Sequence, residues 1–214
     1  ALTVAAASTA TLTVPQPTAV APTAEPRPTK LSISPQSSEN VTAYRLNEPI
    51  IIDGNLDEWP SIPAVPSEHI VYQHQSWDGS EDIELYWQLA WDNVYLYIGA
   101  TIFDDLHVQT ETGNRIFRGD SLSLQIDADR AGDMSDFISP DDFQIDLSPG
   151  NFTTIAPSAQ RYQGNSDRTY NSISSVSILV DAQQTDFGYL LEAAIPWADL
   201  GLNPNNVAEI GLAL

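Results

Sequence analysis

Residues 83–103 read Ile83-Glu84-Leu85-Tyr86-Trp87-Gln88-Leu89-Ala90-Trp91-Asp92-Asn93-Val94-Tyr95-Leu96-Tyr97-Ile98-Gly99-Ala100-Thr101-Ile102-Phe103. Ile83, Leu85, Trp87, Leu89 and Trp91 fall on alternate positions, which an extended chain turns to one face. Asp92-Asn93 is a two-residue turn, and Val94 to Phe103 returns as a second strand, so the stretch predicts a β-hairpin. The same period of two recurs on both sides of it. Ile50-Ile51-Ile52 precedes the turn signal Asp53-Gly54-Asn55. Leu122, Leu124 and Ile126 alternate, as do Phe143, Ile145 and Leu147, then Val176, Ile178 and Val180. Tyr189 to Ile195 carries Leu191, Ala193 and Ile195 on one face, and Ile210, Leu212 and Leu214 end the sequence. Pro196-Trp197-Ala198-Asp199-Leu200-Gly201 reads as one helical turn stopped by glycine. No segment predicts a helix of three turns. Short strands at this spacing predict an all-β fold, an antiparallel β-sandwich of the jelly-roll kind.

The 214 residues carry 29 Asp and Glu against 8 Lys and Arg, a net charge of −21. That balance excludes nucleic-acid backbones and anionic lipid surfaces as partners, since both are bound through Lys and Arg. No apolar run approaches the ~18 residues of a membrane span. The absence of cysteine excludes disulfide scaffolds, thiolate metal sites and thiol nucleophiles. The first residue is Ala1 and the single methionine is Met134, as in a fragment or a chain whose leader has been removed. The Ser/Thr/Pro-rich start and acidic, Lys-poor remainder fit a secreted, extracellular or cell-surface protein. Asn40 and Asn151 open Asn-x-Ser/Thr triplets and are the candidate glycosylation sites.

Composition divides the chain near residue 46. Residues 1–43 contain no glycine and no aromatic side chain, so they lack the bulk to form a core. Residues 1–46 are expected to be an extended tail and 47–214 the sandwich. Within the tail, Leu2 to Val14 alternates between a mostly apolar row and a mostly threonine row, as a strand does. Residues 15–36, with Pro15, Pro17, Pro22, Pro26 and Pro28, form a semi-rigid spacer.

Four segments, in order, resemble the family 9 carbohydrate-binding modules and their DOMON-like relatives. Ile52-Asp53-Gly54-Asn55-Leu56-Asp57-Glu58-Trp59 is similar to that family's opening turn. Leu89 to Ile98, continued by Phe103-Asp104-Asp105, is similar to its central hairpin. Gly119-Asp120-Ser121-Leu122 with Ile126-Asp127 resembles the next strand, and Tyr189 to Glu192 with Ile195-Pro196-Trp197 the late strand and turn. The resemblance covers roughly 49–214 and implies a DOMON-like sandwich. Family members usually continue past the position of Leu214 with one more strand, so the resemblance also implies a sheet with an open edge.

These readings carry two functional expectations. In the first, the protein is a non-catalytic structural subunit. Its N-terminal strand would insert into the open edge of the next copy through Leu2, Val4, Leu12 and Val14, building a head-to-tail homopolymer. The alternative is a carbohydrate-binding module that takes a polysaccharide. Trp77, in the loop Ser76-Trp77-Asp78-Gly79, would then be the stacking platform, with Tyr72, Tyr162 and Tyr170 as companions. Trp59, Trp87, Trp91 and Trp197 are expected in the core. Asp127, Asp129 and Asp133 surround a turn and are candidate calcium ligands, a cofactor that several members of the family bind. His69, His74 and His107 show no zinc spacing and read as surface residues. Haem ligation by Met134 and histidine has no supporting spacing, and no nucleophile, phosphate-loop or dinucleotide motif occurs.

Overall fold

The computed structural model describes residues 41–59, 62–67, 72, 74–80, 82–129, 138–207 and 209–214. The tail residues Leu2, Val4, Leu12, Val14 and Asn40, and also His69, Asp133 and Met134, lie outside the described residues. Two sheets stack as a sandwich. The first runs β1 (Tyr44–Arg45), β3 (Ile83–Trp91), β4 (Tyr95–Asp104), β10 (Gly188–Pro196), β9 (Leu179–Thr185), with β2 (Val65–Ser67) also on the outer edge of β3. The second runs β11 (Gly211–Ala213), β5 (Leu122–Asp127), β6 (Asp142–Ser148), β7 (Ser158–Gly164), β8 (Tyr170–Ile173). All pairings are antiparallel except β1 with β3. The described body begins at Val41, and Val41 and Ala43 pack against the core. Among the described residues, no helix is long and apolar enough to cross a membrane.

The predicted hairpin is present. Leu89 sits opposite Ile98, and Trp87 opposite Ala100. Asp92 builds the turn: its Oδ1 accepts the backbone N–H of Val94 and of Tyr95, both at 2.7 Å, and its Oδ2 accepts the Tyr97 hydroxyl at 2.8 Å. The inward rows of β3, β4 and β10 meet those of β5 and β6 (Leu122, Leu124, Ile126, Phe143, Ile145, Leu147) in the main core.

β4 does not alternate, because it is covered on both faces. The segment after β1 crosses the outer face of the first sheet and forms a smaller cluster of Trp59, Ile62, Ala90, Tyr97 and Ala194. Glu192, fully buried, anchors that segment. One of its oxygens accepts the N–H groups of Asp53 (3.1 Å) and Gly54 (2.9 Å), and the other accepts the Trp59 indole N–H at 2.6 Å. Ile50-Ile51-Ile52 therefore forms no strand; its backbone groups serve this side-chain frame, as when Ile51 N–H donates to Glu58 Oε1 at 2.7 Å. The expected turn at the end of β10 is a 3-10 helix, η3 (Trp197–Leu200), closed by Gly201 at φ 65°. Trp59, Trp87 and Trp197 are buried as expected, and Trp91 packs at the margin of the core beneath the Arg45 guanidinium. At the open side of the sandwich, β2 and β11 flank a cleft of about 710 Å³, across which Ser67 Oγ donates to the Leu214 carbonyl at 2.6 Å.

Candidate functional site

The outer face of the second sheet is set by strand parity. Leu124, Phe143, Ile145 and Leu147 point into the core, so Ser123, Gln125, Gln144 and Asp146 point away from it. Register continues this face onto β7 and β8. Gln160 lies opposite Asp146, Tyr162 opposite Gln144, and Ser172 opposite Tyr162. Amides, a carboxylate and two tyrosines thus share one surface.

Their hydrogen bonds tie the surface together. Asp146 Oδ1 accepts from Ser123 Oγ at 2.7 Å and from Gln144 Nε2 at 3.0 Å. Asp146 Oδ2 is buried and has no hydrogen-bond partner among the described residues. Burial pushes the Asp146 carboxyl up from the ordinary carboxylate range, against the two hydrogen bonds that favour its charge. Gln160 Nε2 donates to Ser172 Oγ at 2.8 Å, and the Tyr170 hydroxyl donates to Gln125 Oε1 at 2.9 Å. Burial also raises both tyrosine hydroxyls, helped by Asp146 for Tyr162 and by Asp142 for Tyr170. These phenols are neutral donors at physiological pH.

A short 3-10 segment, η2 (Gly113–Arg118), packs on β6 and β7 at the end of this face. Its Asn114 carbonyl accepts the Tyr162 hydroxyl at 3.3 Å. Its Phe117 is partly exposed and meets the exposed Tyr72 ring edge to face, with centroids 5.6 Å apart. The Arg118 guanidinium lies 5.6 Å from the Phe117 ring. Tyr72 and Tyr162 are therefore joined through η2. Trp77 is also partly exposed, but its indole N–H donates to the Ile83 carbonyl at 3.3 Å, and no ring contact among the described residues links it to either tyrosine.

The remaining expected sites fall elsewhere. Asp127 ends β5, and exposed Asp129 follows it, with its N–H donating to Asp141 Oδ2 at 3.0 Å. Asn151 spends its side chain on its own turn: Oδ1 accepts the N–H groups of Thr153, Thr154 and Ile155, and Nδ2 donates to Thr154 Oγ1 at 3.1 Å. His107 is not a surface residue; its ring is packed between Phe152 and Tyr189, with centroids at 4.8 and 5.2 Å. Sequence reasoning missed Gln125, Gln144, Asp146, Gln160 and Phe117. The available signal was the polar row interleaved with Leu124, Ile145 and Leu147.

Residues 52–214 match the family described as carbohydrate family 9 binding domain-like. Among solved structures, the chain is similar to a family 9 carbohydrate binding module from Caldicellulosiruptor kristjanssonii in complex with cellotriose. Identity is 18%, coverage 81% of this chain and 74% of that one, and TM-score 0.55. A second structure of such a module from the same organism, in complex with glucose, gives 16% identity, the same coverage and a TM-score of 0.52. At these identities the likeness is one of fold. No match to a curated protein was found. None of these matches supports the strand-exchange expectation; they support its alternative.

Proposed function

The chain belongs to the carbohydrate family 9 binding domain-like family, and from that premise we propose that it is a non-catalytic module that binds a neutral polysaccharide on the outer face of β5–β8. The accessible row of Gln125, Gln144, Gln160, Tyr162 and Tyr170 on one outer sheet face, backed by buried Asp146, carries this reading. A pyranose presents apolar C–H faces and a rim of hydroxyls. Tyrosine rings suit the faces; amides, which both donate and accept, suit the rim. Asp146 lies beneath this row and orients Ser123 and Gln144 through Oδ1. The Tyr72–Phe117 pair at η2 offers a second apolar platform. The solved relatives bind cellotriose and glucose, so β-1,4-glucans are the first ligands to try. Such a module works where polysaccharide is, and we place the protein outside the cell.

Calorimetric titration of the full chain with cellotriose, cellohexaose and xylohexaose tests the proposal. We expect saturable binding that Tyr162→Ala and Gln144→Ala each weaken by more than about tenfold, the loss of roughly one strong contact, with unchanged circular dichroism. Binding untouched by both substitutions, or no binding to any neutral glycan tried, overturns it.

A further inference from the structure

At the end of β4, three side chains converge that the sugar face does not use. Asp104 is the last residue of β4, His107 lies in the loop after it, and Asp120 precedes β5. One ligand atom from each lies within 4.8 Å of the other two. The Asp104 side chain is 6% exposed, that of His107 11% and that of Asp120 22%.

The histidine tautomer is fixed from outside the cluster. Nε2 lies 2.7 Å from the Gly150 carbonyl oxygen, which can only accept, so Nε2 holds a proton. Nδ1 faces the two carboxylates. Asp120 Oδ2 is 2.9 Å away, within ion-pair reach, and Asp104 Oδ2 3.8 Å. Among the described residues, buried Asp104 Oδ2 accepts no hydrogen bond. Each carboxylate is separately oriented by backbone: Asp104 Oδ1 accepts the Leu106 N–H at 3.1 Å, and Asp120 Oδ2 the Val108 N–H. Two fixed carboxylate oxygens and one imidazole nitrogen, which binds a metal once its proton is displaced, thus surround a common point.

We propose that Asp104 Oδ2, His107 Nδ1 and Asp120 Oδ2 bind a divalent first-row transition-metal ion, with zinc as the best fit. One imidazole with two carboxylates suits such ions, whereas calcium and magnesium take sets made wholly of oxygen. The Nε2–H contact to a backbone carbonyl is the outer-shell support that metal-binding histidines characteristically have. The cation would supply the partner that Asp104 Oδ2 lacks. It would also pin the 105–120 segment, which carries η2, to the end of the sandwich.

Calorimetric titration of chelator-treated full chain with zinc chloride decides the matter, with calcium chloride as the second arm. The expected result is one saturable zinc site per chain. Asp104→Asn and His107→Gln should each weaken it by more than about tenfold, while His69→Ala with His74→Ala leaves it intact. Because His107→Gln disturbs a packed ring, the wild-type chain is also followed by nitrogen NMR, where zinc should move the Nδ1 resonance of His107. Absence of a saturable zinc site, zinc binding unaltered in both variants, an unmoved Nδ1 resonance, or preference for calcium over zinc overturns the assignment.

Discussion

Gly99 leaves no room for a side chain. A Cβ there would lie 2.8 Å from the Trp59 ring, whose position Glu192 holds through the indole N–H. Gly99→Ala should therefore cost about 1–3 kcal/mol, as overpacking does, even though alanine suits a strand better than glycine. Urea unfolding with an unchanged m-value is the check. Glu192 and Asp146 carry a second consequence, in pH. Burial raises both carboxyls above their ordinary values. Between the unfolded and folded values the native state holds more protons than the unfolded one, so each group makes stability fall as pH rises through that window. Their contribution is most favourable below the ordinary carboxylate range and is fully lost above the raised values. Asp146→Asn should flatten this decline, which urea midpoints of both proteins between about pH 4 and 8 would show. Parallel curves would mean that Asp146 titrates alike in the folded and unfolded states.

At the scale of elements, legibility followed the number of faces a strand buries. β3, β5, β6 and β10 announce themselves because one row of each is large and apolar. β7 and β8 do not. Ser158-Ala159-Gln160-Arg161-Tyr162-Gln163-Gly164 puts Arg161, not an aliphatic residue, on the inward side opposite Ile145. That choice is made by η3: the Arg161 guanidinium donates to the Asp199 carbonyl oxygen at 2.8 Å and pairs with its carboxylate at 3.0 Å. A partner 38 residues away is invisible to a local pattern, so the polar half of the candidate face was hidden although Tyr162 and Tyr170 could be named. β9 shows the converse error. Val176 mimics a strand row but is 90% exposed, and the strand starts at Leu179. The cluster at His107 was missed for a similar reason, since Asp120 lies on the far side of η2 from Asp104 and His107. The Arg161 pairing makes its own prediction. Asp199→Ala leaves a largely buried guanidinium without its counter-charge and should destabilise by about 3 kcal/mol, read from the denaturant midpoint. Little change would mean that the β7–η3 connection rests on packing alone.

Across the whole molecule, charge limits which glycans the strip can take. The net charge is −21, and among the acids only Glu25 and Glu39 precede residue 47, so the sandwich carries nearly all of it. A surface of one sign repels a polymer of the same sign over about a Debye length, ~10 Å at 0.1 M salt. Within the strip, Asp146 and the nearby Asp142 add no positive partner to offset this. At its margin, η2 carries Arg118 beside Phe117 and Arg115, which is paired with Glu111. The module should therefore select uncharged polysaccharides, and the selection should be electrostatic, not steric. Affinity electrophoresis separates these causes. In gels containing hydroxyethyl cellulose, migration should be retarded at all salt concentrations. In gels containing carboxymethyl cellulose, which has the same backbone, retardation should be absent at low salt and emerge as salt is raised. Equal retardation by both polymers at low salt would place the binding surface away from the acidic face, and with it the Asp146 strip would lose its role.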